Sequence, residues 1–361
     1  MHYIRFLKAP RMTQDIRGLQ SLTAVITITT DLGDAFLYSD LPLAIELEDA
    51  HGRKLQDGGK GKDYVWRASD GYKGLLVEVP IGIQTMRAGA QVKMVIKAKK
   101  EQFMAEDFDH VLGHKSRDSD DEGSVVTLRG LPDGNGIVER VFKFGDGQDV
   151  HVWEESGESI ARHIWDAGLV LSAYLSNMLR DTPSSRSLPR LPTLRTILSN
   201  HDLNVLELGA GCGIVGISLC QALPNITQMI LTDLPEATSI LTHNISLCSP
   251  APNHSVLDWS QPLPAPIAST QWNLILIADC TYNPDVVPDL VHTLGRLADG
   301  NKDLNVLLAM KVRHSSEAVF FTLMEEGGWV IRESIKLPLP VLGGEEEEID
   351  IFVFGVDVDF D

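Results

Sequence analysis

Apolar and polar positions alternate with a period of two through much of the first 150 residues, the mark of strands with one face on a core. LTAVITITT (22–30), LPLAIELED (41–49), GLLVEVPIG (74–82), QVKMVIKAK (91–99), SVVTLRGLP (124–132) and RVFKFGD (140–146) read this way, with Gly, Asp and Pro between them. One stretch, MAEDFDHVLG (104–113), is a helix candidate, and the polar HKSRDSDDEGS (114–124) reads as a loop. The pattern predicts a β-sandwich or open barrel of about seven strands. It carries no catalytic constellation, so residues 1–150 are expected to form an accessory, substrate-docking domain.

The pattern changes near residue 150. IWDAGLVLSAYLSNML (164–179) places Ile164, Leu169, Leu171, Leu175 and Leu179 at helical spacing, and the Pro- and Ser-rich segment 181–193 breaks it. Strand and helix patterns then alternate. LNVLELG precedes CGIVGISLCQAL, TQMILTD precedes PEATSILTHNISLC, and HSVLDW is a short strand. WNLILIAD precedes PDVVPDLVHTLGRLA, and LNVLLAMKV precedes SEAVFFTLMEEGG. Such alternation predicts a doubly wound α/β domain over 151–361 with a mostly parallel sheet. Two final strands, WVIRESIKLPL and EIDIFVFGVDVDF, flank the turn GGEEEE (343–348) with no helix between them. They are expected antiparallel at the sheet edge.

Composition narrows the function. Fifty acidic against 31 basic residues give a formal charge of −19. That balance argues against general nucleic-acid binding and suits a basic protein face. Cys212, Cys220, Cys248 and Cys280 lack C-x-x-C spacing and suggest neither a disulfide framework nor a metal site. MHYIRFLKAP lacks the apolar core of a signal peptide, and no apolar run is long enough to span a bilayer. A soluble intracellular protein, cytoplasmic or also nuclear, is expected.

The chemistry gathers at the predicted strand ends. Gly209, Gly211, Gly213 and Gly216 follow the strand VLEL, and a turn this bare of side chains makes room for a ligand. Glu207 precedes the turn, where a carboxylate would oppose a pyrophosphate and suit an ammonium or sulfonium. It could instead pair with a local backbone N–H or an Arg. Asp233 closes the second strand about 20 residues on, where an acid grips a ribose diol, although it could also cap the next helix. Asp258 and Trp259 close the third strand and Asp279 the fourth. Ligands of open α/β sheets lie at these carboxyl ends. A ribose clamp, an adenine wall and an acid near the reacting group, in that order, fit S-adenosylmethionine better than NAD.

VLELGAGCGIVGISL, LTDLPEA, VLDWS, IADCTYNPD and HIWDAGLVLSAYL together resemble the family 16 seven-strand, class I S-adenosylmethionine-dependent protein-lysine methyltransferases, marked by an Asp-x-x-Tyr motif, here Asp279-Cys-Thr-Tyr282. The resemblance spans about 150–357. It implies a Rossmann-like fold with a seven-stranded sheet and places Trp165 at the methionyl end of the cofactor. The backbone of Gly209, Ala210 and Gly211 would pass beside the cofactor, ahead of Gly213. Asp233 would take the ribose, Leu234 and either Asp258 or Trp259 the adenine, with Ala278 kept small. Asp279 and Tyr282 are the expected catalytic pair, holding and orienting the acceptor ammonium. Cys280 is expected buried, and Arg313 and His314 either line the substrate opening or lie on the surface.

The expected function is methylation of a lysine on another protein, such as a translation factor, ribosomal protein or chaperone, without nucleic acid or membrane. Alternatives are a small-molecule amine N-methyltransferase and a non-catalytic methyltransferase-fold subunit.

Overall fold

The structure is a computed structural model. It describes all residues except 56–61, 83–91, 113–124, 133, 135, 145–147, 157–158, 181–187, 224, 343–346 and 358–361, and gives backbone only for 144 and 148. The expected loop at 114–124 and most of the GGEEEE turn fall outside the described residues. The chain forms two compact units: Met1–His163 with Leu339–Glu347, and Ile164–Pro338 with Glu348–Asp361.

The first unit is a sandwich of two sheets. One has the order β5-β2-β1-β7 and the other β10-β9-β8-β6-β3-β4. The strands are β1 (His2–Gln14), β2 (Gln20–Thr29), β3 (Leu41–Glu48), β4 (Tyr64–Trp66), β5 (Leu75–Pro80), β6 (Lys93–Ala98), β7 (Val125–Val126), β8 (Leu128–Gly130), β9 (Ile137–Phe144) and β10 (Gln148–Glu155). In β3 the side chains of Leu41, Leu43, Ile45 and Leu47 turn inward and the intervening ones outward, as the alternation predicts. One core joins both sheets: Phe6, Ile26 and Val77 from the first, Ile45, Ile96 and Leu128 from the second. Each such side chain fully withdrawn from water stabilises the fold by about 1.5–3 kcal/mol. Phe6 seats against Gly130, where an added Cβ would lie 2.2 Å from Phe6 Cε2.

A division at residue 150 is corrected by this unit. It would cut β10, which pairs antiparallel with β9 from Gln148↔Phe144 to Glu155↔Ile137. The period-two burial runs on through Val150 and Val152, so the first unit extends to His163.

The second unit carries a seven-stranded sheet in the order β13-β12-β11-β14-β15-β17-β16. Its strands are β11 (Leu203–Leu208), β12 (Ile226–Asp233), β13 (Asn253–Val256), β14 (Leu274–Ala278), β15 (Asn305–Met310), β16 (Trp329–Leu339) and β17 (Glu347–Val356). Its main helices are α1 (Asp166–Arg180), α2 (Pro192–Leu198), α3 (Ile214–Ala222), α4 (Thr238–Ser246), α5 (Val287–Ala298) and α6 (Ala318–Glu326). The strands β11 to β15 run parallel, and β17 pairs antiparallel with β15. Helix α2 begins inside the segment read as a loop, with Pro192 at its first position, where a missing N–H costs nothing.

Strand order places the site. From β11 the chain moves outward to β12 and β13, then returns to β14 on the opposite side of β11. The carboxyl ends of β11, β12 and β14 therefore border the crevice where the winding reverses. Leu208 is level with Thr232 and with Ile277. The next residues, Gly209, Asp233 and Ala278, thus leave the sheet side by side.

Candidate active site

The turn after β11 is built of left-handed backbone: Gly209, Gly211 and Gly213 have φ of +67°, +55° and +81°. Gly209 is required twice over. Its φ disfavours a side chain, and a Cβ there would lie 2.4 Å from Cys280 Sγ and 3.5 Å from Trp259 Cζ2. The turn is tied to β12 by Ala210 N–H donating to Thr232 O (2.9 Å). Helix α4 holds it from below, where Asn244 Nδ2, fully buried, donates to Cys212 O at 2.9 Å.

Asp233 closes β12 with its carboxylate on the same turn. Gly211 N–H donates to Oδ2 (2.6 Å) and Leu234 N–H to Oδ1 (2.7 Å). Burial raises its pKa against these two amides. Each oxygen keeps a second acceptor position for a diol. Leu234 beside it is exposed and offers an apolar face. Trp259 reaches the turn from beyond β13, and its carbonyl is gripped by Thr293 Oγ1 (3.1 Å) and Arg296 Nη2 (2.9 Å) of α5. Asp258 instead closes a local turn, accepting from the N–H and Oγ of Ser260 at 3.0 and 2.8 Å. Of these two neighbours, the structure brings Trp259 to the glycine turn.

Glu207 departs from the ligand-facing reading. Its Oε2 accepts from Gly216 N–H at 2.9 Å, and the residue is 2% exposed. Burial pushes its pKa up to about 8, with the nearby Asp233 adding to the rise. Glu207 therefore supports the start of α3 from inside rather than presenting an open carboxylate.

Asp279 follows β14 with φ +54°, the one non-glycine residue at positive φ among the described residues. Backbone held this way is costly in a non-glycine residue and clusters at functional sites. The carboxylate is buried and points back at the start of α1, accepting from Ala167 N–H at 3.1 Å. Arg313, beyond β15, pairs with it at 2.9 Å, and the guanidinium also lies over the Trp165 ring, 5.6 Å from its centroid. The expected partner of Asp279 was a substrate ammonium; here that cation belongs to the protein. Lys311 Nζ forms a second, buried pair with Asp166 at 3.0 Å. Ala278 lies close under α1, where a Cβ on Gly168 would be 3.9 Å from its own. Tyr282 stands 47% exposed, and burial of its remainder, then Cys280, Asp233 and Glu236, raise its hydroxyl pKa. The buried Cys280 thiol is pushed far above the range of a nucleophile. His314 is exposed and caps the helical turn Ser315–Glu317 by accepting from Ser316 N–H.

The expectations missed Asp166, Asn244, Arg296 and Lys311. Their distant partners lie 32 to 145 residues away, and only Asp166 stood inside a noted motif. Among the described residues no cluster of His, Cys, Asp or Glu could hold a metal, and no helix is long and apolar enough to cross a membrane.

Residues 145–327 match a family described as lysine methyltransferase. The chain belongs to the lysine methyltransferase family. Mouse protein N-lysine methyltransferase METTL21A is 31% identical over 180 residues, 48% of this chain and 70% of that protein. EEF1A lysine methyltransferase 3 of Xenopus tropicalis is 26% identical over 57% of this chain and 80% of its own length. A UPF0665 family protein of Schizosaccharomyces pombe is 33% identical over 174 residues, 47% of this chain. That match spans 48%, about half, of the fission yeast protein. Membership of a methyltransferase family makes S-adenosylmethionine the cofactor. The residues fit that cofactor: a side-chain-free turn, an acid with free acceptor positions and two apolar neighbours are what a ribose and an adenine require.

Proposed function

We propose that the whole chain is an S-adenosylmethionine-dependent protein-lysine N-methyltransferase whose acceptor is another intracellular protein, met in the cytoplasm or nucleus. The observation that carries this reading is the exposure of Tyr282 at 47% directly after the recessed Asp279, which is 8% exposed. An acceptor side chain can reach the tyrosine from outside, while Asp233, proposed to take the ribose, is 8% exposed. An open tyrosine favours a macromolecule over a small amine.

When bound, S-adenosylmethionine supplies an electrophilic methyl group on a sulfonium. The residues of the chain have the remaining tasks. Gly209 to Gly213 admit the cofactor, and Asp233 takes the ribose hydroxyls. Leu234 and Trp259 flank the adenine, and Trp165 faces the methionyl end. An acceptor lysine is almost fully protonated at neutral pH, its ordinary pKa being about 10.4. It must lose a proton and aim its lone pair. Tyr282 orients it through its hydroxyl, which stays protonated at neutral pH, and through its ring face. Asp279 acts from behind, fixing Arg313 and the first turn of α1.

The Xenopus relative is named for EEF1A, and EEF1A is the first acceptor to try, ahead of other translation factors, ribosomal proteins and chaperones. The first unit is proposed to dock the acceptor. The test is incubation of purified protein and methyl-labelled cofactor with lysate from cells lacking the protein, followed by peptide mass spectrometry. Label on lysine of a discrete protein supports the reading. Label confined to small molecules or nucleic acid would refute it. A crosslinker at the exposed Tyr72 of the first unit should capture the methylated protein, and capture of none removes the docking role.

A further inference from the structure

The start of α1 and the ends of β14 and β15 meet around one guanidinium. Arg313 Nη1 donates to Asp279 Oδ1 at 2.9 Å, and Nη2 to Oδ2 at 3.3 Å. Two backbone groups also donate to this carboxylate: Ala167 N–H to Oδ2 (3.1 Å) and Lys311 N–H to Oδ1 (3.2 Å). The pair is withdrawn from solvent, with side chains 19% and 3% exposed. The other face of the guanidinium lies over Trp165. Its backbone is pinned as well, because buried Glu317 Oε1 accepts from Arg313 N–H (2.9 Å) and His314 N–H (3.0 Å). Alongside, Lys311 Nζ pairs with the buried Asp166 at 3.0 Å. Asp279 thus already pairs with a cation of the protein where a substrate ammonium was expected.

We propose that Arg313 is a positioning residue that sets how the site discriminates S-adenosylmethionine from S-adenosylhomocysteine. It neutralises Asp279 and fixes the Trp165 ring, so the carboxylate beside the methionyl end is paired before any ligand arrives. The inference rests on the reading of Trp165 and Asp279 as residues of that end. A bare carboxylate there would favour the cationic ground state over a transition state in which that charge disperses, and would slow transfer. A paired carboxylate avoids that penalty, and it lets the neutral product bind and leave without a change of partner for Asp279.

The test needs no acceptor. The affinities of S-adenosylmethionine and S-adenosylhomocysteine are measured by calorimetry on the full chain and on Arg313→Gln, Arg313→Lys, Asp279→Asn and the Asp279→Asn/Arg313→Gln double variant. Arg313→Gln exposes the charge of Asp279 and should shift the affinity ratio toward the sulfonium form by at least about threefold, the effect of one nearby unit charge even under water-like screening. Asp279→Asn should shift it the opposite way. Arg313→Lys keeps the charge, and the double variant removes both, so each should stay within about twofold of the wild-type ratio. A purely structural role would weaken both ligands in parallel and leave the ratio unmoved in Arg313→Gln, which overturns the proposal. If Arg313→Gln does not fold, Asp279→Asn and the double variant decide by the same criterion. Wild-type protein that binds neither ligand overturns the cofactor reading and this proposal with it; binding with an unmoved ratio overturns this proposal alone.

Discussion

Glu207 makes a prediction with a definite sign. The residue is 2% exposed, and its carboxyl has one identified donor, Gly216 N–H at 2.9 Å. Its pKa in the fold, about 8, lies above the ordinary 4.5 because burial penalises the charged form. Below pH 4.5 both folded and unfolded chains hold the proton. Between 4.5 and 8 the folded chain keeps it and the unfolded chain has lost it, so stability falls as pH rises. Above 8 the loss is complete. At 1.36 kcal/mol for each pH unit, the full span corresponds to at most about 5 kcal/mol. Glu207→Gln carries a neutral carbonyl that can accept from the same N–H, so the variant should lack this slope. The assay is denaturant unfolding from pH 5 to 9 followed by tryptophan fluorescence. The chain has two compact units, so the transition to follow is the one that S-adenosylhomocysteine moves to higher denaturant. Wild type and variant should be similar at pH 5, and the variant should be the more stable by a few kcal/mol at pH 8. Parallel profiles would mean that Glu207 is ionised in the fold at neutral pH, and the argument from burial would be wrong.

Three further outcomes are expected. Gly209→Ala adds a Cβ 2.4 Å from Cys280 Sγ at a φ of +67°. It should destabilise the second unit by about 2–4 kcal/mol in the same assay, and Gly209→Ala/Cys280→Ala should recover only the steric part. Arg296→Met removes the guanidinium bonds to Trp259 O (2.9 Å) and Gln261 O (2.6 Å). S-adenosylhomocysteine should then bind roughly 3- to 30-fold more weakly by calorimetry, and unchanged affinity would place Trp259 away from the ligand. Cys280, buried with a strongly raised thiol pKa, should resist iodoacetamide at pH 7.5 in the native protein and react after denaturation, as read by mass spectrometry.

Most of the second unit was legible because its strands and longer helices carried their period. β12 ends at Asp233 and β14 just before Asp279, while β13 stops at Val256, short of Asp258. The first unit was only partly so. β1 is its longest strand, yet HYIRFLKAPRMTQ shows no clean alternation. The pairing with β2 explains why: its register shifts between Phe6 and Lys8 and again between Lys8 and Arg11, and each shift resets which side chains face inward. β10 was divided at residue 150 although its period-two burial continues through Val150, Val152 and Glu154, a buried Glu being a poor sequence signal of an inward face. At the site, the glycines and Asp233 were readable because local backbone demands them. The pairing of Asp279 with Arg313 was not, since it spans 34 residues and depends on β14 lying beside β15. The inward turn of Glu207 depends likewise on where α3 begins.

The central claim is that the carboxyl ends of β11, β12 and β14 hold a sulfur nucleoside rather than a dinucleotide. The direct measurement is calorimetric titration of the full-length protein with S-adenosylhomocysteine and, separately, with NAD. Saturable heat with the first, lost in Asp233→Ala, and none with NAD is the predicted result. Heat with NAD and none with S-adenosylhomocysteine would contradict the account.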